Sequence, residues 1–451
     1  LQAAARQPLL GRIVPAALFD AALARLRADG VESGAIVAWL GHNSFEMLAA
    51  LAACERLGAA MLPLNWRLTA AELARVVAHA GAGHLLGTPE CAAPADEVRA
   101  SGPLSPGPAE GVLPGDILLV YTSGTTGEPK GAMHTTAGLA ANIEAAVDAQ
   151  GLSATSRVLS VLPLFHVGGL CIQTLPALAV GAAVRLQSRF EPGAWFDDVE
   201  QWRPTTTLLV PAVMRALVEH PRWRVADLSS LEFVNAGSQI VPRPLIEAFH
   251  VRGIPVAQVY GGTETGPVSI VLRPGEAMAH AGHAGRPAMG VQVRLAADGE
   301  ILLRAPNLMR GYHRLAAAAG PSFDEEGWFH TGDLAVCRED GCYEVVGRSK
   351  ELIISGGENI HPAEIENLVA LQPEVADCAV VALPDERWGE VPVLAVVLRP
   401  GMTLDEPALR RLLDSRLARF KHPRRVLVCQ NLPKTALGKV QRAALARQLG
   451  G

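Results

Sequence analysis

The chain has 451 residues, 49% of them hydrophobic, and a net charge of −5 from 40 Lys and Arg against 45 Asp and Glu. That length exceeds one ordinary core, so two or three folded units are expected, with enough apolar content to fill them. The acidic balance argues against an electrostatic nucleic-acid binder, and no nucleic-acid partner is expected.

In chain order, Ala35–Leu40 reads as a buried strand and Phe45–Leu57 as an Ala/Leu-rich helix. Met61–Leu64 and His84–Gly87 are further strands, separated by a helix over Ala70–Ala80. Segment 91–115, rich in Ala, Pro, Gly and Ser, reads as a loop or linker. Short apolar runs recur at Val158–Leu162, Ala183–Leu186, Thr206–Val210, Phe233–Asn235 and Val256–Tyr260. This alternation predicts an α/β fold with largely parallel sheets and ligand sites at strand C-terminal ends. Beyond about residue 285 the character changes. Val291–Leu295, Gly299–Arg304, Leu334–Cys337 and Tyr343–Val346 predict a small β-rich segment joined by Asp-Gly turns.

After Lys350 a smaller α+β unit of roughly a hundred residues begins. It has a helix over Pro362–Ala370, strands over Val375–Ala382 and Val391–Leu398, a helix over Thr403–Leu417 and a strand over Val426–Cys429. The expected division is residues 1–347, a hinge at 348–350, and 351–451. The seven cysteines are an odd number without zinc-type C-x2-C spacing, which favours a reduced, cytoplasmic setting. Cys337 and Cys342 flank the Asp340-Gly341 turn signal and read as packing residues on neighbouring strands. There is no charge-free run long enough to span a bilayer and no leader pattern, so no integral membrane segment is expected. The first residue is Leu1 rather than Met, which leaves room for residues ahead of it.

The densest chemistry lies in Tyr121-Thr-Ser-Gly-Thr-Thr-Gly-Glu-Pro-Lys-Gly131, directly behind the apolar run Ile117–Val120. Three glycines, four hydroxyl side chains and a lysine can turn backbone N–H groups and hydroxyls around a polyphosphate. It is not the common P-loop, because Gly131 follows Lys130 where Ser or Thr should stand. Six further segments follow. They are Pro163-Leu-Phe-His166, Tyr260-Gly-Gly-Thr-Glu264, Trp328-Phe-His-Thr-Gly-Asp333, Gly347-Arg348, Ser355-Gly-Gly-Glu-Asn359, and Pro433-Lys-Thr-Ala-Leu-Gly-Lys439 with Arg442.

Together, in this order, the seven segments resemble the adenylate-forming superfamily of acyl-CoA synthetases, peptide-synthetase adenylation domains and luciferases. The resemblance runs from about residue 35 to the C-terminus. It implies an acid–CoA ligase that uses ATP, Mg2+ and coenzyme A and proceeds through acyl-AMP. Such chemistry brings a carboxylate to a polyanion. Two unit charges ~4 Å apart repel by about 4 kcal/mol at an effective dielectric near 20, so the site must neutralise charge first.

By resemblance, Thr122, Ser123, Gly124, Thr125, Thr126, Gly127 and Lys130 hold the β- and γ-phosphates. Glu264 holds Mg2+, and Thr263 touches the α-phosphate. Tyr260, with Gly261 beside it, stacks on adenine, and Ala236, Gly237 and Ser238 line the other edge of the base. Asp333 accepts the ribose hydroxyls, and Arg348 donates to the ribose. Lys439 bridges the acid and the α-phosphate. The resemblance also implies rotation of the small unit about Lys350, which brings Gly356 and Gly357 to a pantetheine tunnel. Lys421, Arg424 and Arg425 are candidates for the coenzyme A phosphates.

His166 stands where amino-acid-activating relatives more often carry Asp, which disfavours an amino-acid substrate; a packed wall residue and an orienting role both stay open for it. Ile354 replaces a frequent lysine, and Gly262 replaces a larger residue, which leaves room near the acyl pocket. The expected acyl lining is Phe165–Leu170, Val210, Asn235–Ser238 and Gly261–Pro267. It lacks arginine and suits a neutral aliphatic, alicyclic or aromatic acid. Loading of an acyl-carrier protein and a nucleotide-binding pseudoenzyme remain as alternatives, and a homodimer stays open.

Overall fold

The computed structural model describes residues 10–450, except 103, 105–106, 124–128, 315–322, 356–357 and 436–437. Two large sheets carry the N-terminal part. The six-stranded one runs in the order Gly311–Tyr312, Pro129–Thr135, Asp116–Ser123, Ala60–Leu64, Ile36–Leu40, His84–Gly87. The seven-stranded one runs Arg286–Pro287, Ile270–Leu272, Val256–Tyr260, Phe233–Gly237, Thr206–Leu209, Arg157–Ser160, Ala183–Leu186. Strand Ile36–Leu40 is buried on both faces, which explains its unbroken apolar run.

Helix Thr136–Gln150 lies between the two sheets. Its Leu139 and Ile143 join the core of the first, while Ala145, Ala146 and Ala149 join the core of the second. A helix apolar on most of its circumference has to be buried this way. Its last residue, Gln150, accepts from Asn235 Nδ2 at 2.7 Å and anchors the strand that ends at Gly237.

Local signals set several bounds. Ser44 caps helix Phe45–Leu57 through Met47 N at 3.2 Å, and Gly58 ends it in the left-handed region. Thr69 and Glu72 form a capping box on helix Ala70–Ala80. In the C-terminal unit, Asp405 caps Ala408 N at 2.9 Å, so that helix spans Glu406–Arg416 rather than starting at Thr403.

Two expectations need correcting. Segment 91–115 is not all loop, because Ala92–Ala100 is helical; Pro94 falls in the first turn, where a missing N–H costs nothing. The sheets are also less uniformly parallel than expected. Asp116–Ser123 pairs antiparallel with Pro129–Thr135, so the Thr/Gly-rich segment joins the two strands of a hairpin.

A four-stranded antiparallel sheet (Gln292–Leu295, Glu300–Arg304, Phe329–Cys337, Tyr343–Arg348) follows the large sheets. The C-terminal unit is a five-stranded sheet around the long hairpin Val375–Asp385 and Gly389–Leu398, with its own apolar core. The two units meet through polar contacts. Arg399 bonds Glu219 at 2.8 Å, and Arg215 bonds the Ala376 carbonyl beside Asp377.

Candidate active site

A cleft of about 500 Å³ opens where the C-terminal ends of strands Phe233–Gly237 and Val256–Tyr260 meet the four-stranded sheet and the C-terminal unit. Gly237, Ser238, Tyr260, Gly261, Asp333, Arg348, Gly438 and Lys439 all line it. Eight positions from five separate segments therefore converge on one cavity. Gly237 has to be glycine, since a Cβ there would lie 2.5 Å from the Val259 carbonyl oxygen. Ser238 stands at φ +68°, an uncommon backbone state for a residue with a side chain, and one that concentrates at functional sites. Ala236, one residue back, is fully buried.

Strands Phe329–Cys337 and Tyr343–Arg348 pair Asp333 directly with Arg348. Arg348 Nε lies 2.7 Å from Asp333 Oδ1, and the Tyr260 hydroxyl donates to Asp333 Oδ2 at 2.9 Å. Burial pushes the Asp333 carboxyl above its ordinary value, while Arg348 and Tyr260 pull it back. The two donors, one on each oxygen, favour the ionised form. A carboxylate offers about four lone-pair sites, so roughly two stay available for ligand hydroxyls.

Glu264 sits at the first turn beyond Tyr260. The Tyr312 hydroxyl donates to its Oε1 at 2.7 Å, and its backbone carbonyl accepts from Met309 N at 2.9 Å. Lys130 Nζ stands 5.4 Å from the Tyr312 ring centre. Tyr312 thus links the base of the Thr/Gly hairpin, where Thr122 pairs with Lys130, to the predicted metal carboxylate. Nothing in the sequence reading singled out Tyr312. The Gly-Tyr pair at 311–312 is too short to read as a strand, yet it forms the edge of the six-stranded sheet.

The buried His134 lies beside the backbone of Thr263, and buried Asn307 donates to the Thr265 and Val268 carbonyls. Both brace the turn that carries Glu264. Gly262 faces that carboxylate, with Glu264 Oε2 3.3 Å from where its Cβ would lie, so a side chain there would crowd Glu264.

Lys439 reaches the cleft on a tight loop. Its N–H donates to Thr435 Oγ1 at 3.2 Å, and its carbonyl accepts from Thr435 N at 2.7 Å. Burial, then the neighbouring Arg348, push its ammonium below the ordinary value; Glu351 and Asp333 oppose them. Gly438 has φ +77°, and a Cβ there would lie 3.0 Å from Ala212 Cβ of the large unit. Arg442 fastens the following helix by pairing with Glu351 at 2.9 Å and Glu366 at 2.5 Å.

His166 does not line this cleft. Its ring packs on Phe165, with centres 4.4 Å apart, and its Nε2 is buried without a hydrogen-bond partner among the described residues. Burial, then the nearby Arg67, hold it down to about 4, so it is neutral at pH 7. The next turn, at Gly168, approaches Ser238 and joins the His166 segment to the cleft wall. Arg67 lies 4.9 Å from the Trp66 ring centre and 6.0 Å from that of Phe165. It is a cation that the expected acyl lining did not include.

Gly124, Thr125, Thr126, Gly127, Gly356 and Gly357 fall outside the described residues, and of Ser123 only the backbone pairing with Pro129 is described. Among the coenzyme A candidates, Lys421 is tied to Glu364 at 2.5 Å. Arg424 lies over Trp388 beside Ser355, and Arg425 is exposed.

A fold of two large sheets with a small C-terminal unit, and a cleft between them lined by hydroxyl, carboxylate and cationic groups, defines a nucleotide-dependent acid-activating enzyme. The family model "AMP-binding enzyme" matches residues 19–313, and "AMP-binding enzyme C-terminal domain" matches 364–439. The chain belongs to this family. It is 44% identical to an indoleacetate–CoA ligase of Aromatoleum aromaticum, over 95% of this chain and 91% of that protein. It is 40% identical to a feruloyl-CoA synthase of an Amycolatopsis species, over 94% of this chain and 91% of that protein. The o-succinylbenzoate CoA synthetase of Bacillus subtilis, solved with its acyl-adenylate, superposes with a TM-score of 0.82 at 30% identity, covering 95% of this chain and 91% of that one. The protein is an AMP-forming acyl-CoA synthetase whose cosubstrates are ATP, Mg2+ and coenzyme A. Among the described residues no helix is long and apolar enough to cross a membrane.

Proposed function

We propose that the protein converts a neutral aromatic monocarboxylic acid to its CoA thioester, with Lys439 as the mobile catalytic cation of the adenylation step. One observation carries this reading: Lys439, from the C-terminal unit, lines the same cleft as the Asp333–Tyr260–Arg348 cluster. Asp333 and Arg348 bind the ribose, Tyr260 stacks on the base, and the 236–238 backbone completes its pocket. Thr122, Ser123, Gly124, Thr125, Thr126, Gly127 and Lys130 hold the terminal phosphates.

Glu264 fits a Mg2+ ion, because Tyr312 occupies one carboxylate oxygen and leaves the other to a hard cation. Bound Mg2+ supplies neutralisation of the triphosphate. Lys439 offsets the repulsion between the acid's attacking oxygen and the α-phosphate; that oxygen bonds to phosphorus as the bond to pyrophosphate breaks. The small unit, residues 351–451, then turns about Lys350. This withdraws Lys439 and brings the Gly356-Gly357 segment to the thiol, which displaces AMP. Polar contacts between the units, such as Arg399 with Glu219, suit an interface that must open.

The acid class rests on buried Phe165, Val167, Leu170 and Val210, and on relatives that take indoleacetate and ferulate. The neutral His166 ring, whose Nε2 has no hydrogen-bond partner among the described residues, is a wall or orienting group for the acid. Seven free cysteines suit a reducing, cytoplasmic compartment. The test is a panel of aryl, aliphatic and dicarboxylic acids scored for AMP formation with coenzyme A. Aryl monoacids should lead. Preference for a dicarboxylate would overturn the acid class and point to Arg67, and absence of AMP with every acid would overturn the reaction itself.

A further inference from the structure

His280 and His283 lie in the turn ahead of strand Arg286–Pro287, and Cys342 directly precedes strand Tyr343–Arg348. The two segments are clamped together. Ala284 N donates to the Tyr343 carbonyl at 2.9 Å, and Tyr343 N donates to the Gly285 carbonyl at 2.7 Å. Gly285, at φ +100°, allows the close pass, since a Cβ would fall 1.9 Å from the Val271 carbonyl oxygen.

One potential ligand atom from each of His280, His283 and Cys342 lies within 4.8 Å of the others. Nδ1 of His283 is buried with no hydrogen-bond partner among the described residues, and Cys342 is fully buried. Asp340 Oδ2 stands 3.4 Å from His280 Nδ1.

We propose that His280, His283 and Cys342 bind one divalent transition cation, Zn2+ or a neighbour of similar softness. Two imidazoles and a thiolate are the donor set such ions prefer, and they are poor ligands for Mg2+. Tetrahedral coordination at the usual bond lengths places ligand atoms about 3.3–3.6 Å apart, so small ring rotations close the set. Asp340 then orients His280 as carboxylates orient metal-bound histidines, and water completes the fourth position.

The local charge permits it. Arg286 is already paired with Glu276 and faces Asp340 at 3.6 Å, so the metal meets two carboxylates and one guanidinium. Binding releases the Cys342 thiol proton to solvent as the metal–sulfur bond forms.

Gly282 and Ala284 line the nucleotide cleft, and Gln258 Nε2, on the strand that ends at Tyr260, donates to the His283 carbonyl at 2.8 Å. The ion therefore pins one wall of the cleft without touching the reacting atoms. This site stands independently of the proposed acid and of Lys439.

The probe is Co2+, added to the chelator-washed full chain. One Co2+ per chain should bind, with tetrahedral d–d bands and a thiolate-to-cobalt charge-transfer band. Cys342→Ser should remove the charge-transfer band, and Cys337→Ser, five positions earlier on an exposed site, should retain it. His280→Gln, at a partly exposed position, should weaken Co2+ at least tenfold, and Zn2+ should compete. No charge-transfer band in the parent chain, its survival in Cys342→Ser, or unchanged Co2+ affinity in His280→Gln would each overturn the site.

Discussion

Tyr312→Phe is the sharpest test of the proposed metal carboxylate. The change deletes one oxygen and keeps the ring that faces Lys130, so packing is conserved. What disappears is the 2.7 Å bond from the hydroxyl to Glu264 Oε1. A hydrogen bond to a charged group contributes about 1.5–3 kcal/mol. If all of it positions Glu264 in the transition state, adenylation should slow by about 10- to 150-fold, at roughly tenfold per 1.4 kcal/mol. The effect should be largest at limiting Mg2+, because the loosened carboxylate must be re-ordered by the ion.

The assay is acid-dependent pyrophosphate release across a Mg2+ titration, set beside thioester formation from preformed acyl-AMP. The second reaction should be unchanged, since Tyr312 lies on the large unit and not on the one proposed to rotate. Parent-like adenylation at limiting Mg2+ would refute the reasoning, and so would an equal loss in both reactions.

Three further outcomes follow from the geometry. Lys439→Ala removes a charge worth about 4 kcal/mol at ~4 Å, so adenylation should fall about a thousandfold while preformed acyl-AMP still yields thioester; equal loss in both assays would contradict the two-orientation scheme. Gly438→Ala places a methyl 3.0 Å from Ala212 Cβ at a φ that costs about 1–2 kcal/mol for an L-residue, so adenylation alone should slow, about tenfold; slowing of the thioester step instead would reverse the assignment. Burial holds both His134 and His166 down to about 4 against an unfolded value near 6.5. Within that window the unfolded chain binds more protons, so stability is retained at pH 7 and falls as the pH drops through 6.5 toward 4. Urea midpoints at pH 7 and pH 5 should show this drop, and His134→Gln with His166→Gln should flatten it; an unchanged pH slope in the double variant would sink the argument.

Much of the local architecture was legible. Helix Ala70–Ala80 and strand Val256–Tyr260 appear with the bounds expected, because an apolar period, a capping box and a terminal glycine act between residues a few positions apart. The helix over Ala92–Ala100 was hidden by a Pro and small residues whose composition also suits a loop. The hairpin character of the threonine-rich segment was hidden too, since a strand's partner is not written in its own residues.

The candidate site divides along the same line. The family resemblance carried by seven motifs in order pointed to Asp333, Arg348, Glu264 and Lys439 as residues of one kind of chemistry. That Tyr312 props Glu264 across 48 positions, that His134 braces Thr263, and that Arg67 stands beside Phe165 were decided only when the sheets assembled. So was the seating of Gly438 against Ala212, which carries Lys439 into the cleft. Propensity and capping are settled by near neighbours along the chain. Which side chains meet across a cavity depends on how whole sheets and units pack, and on close approaches that a single Cβ would forbid.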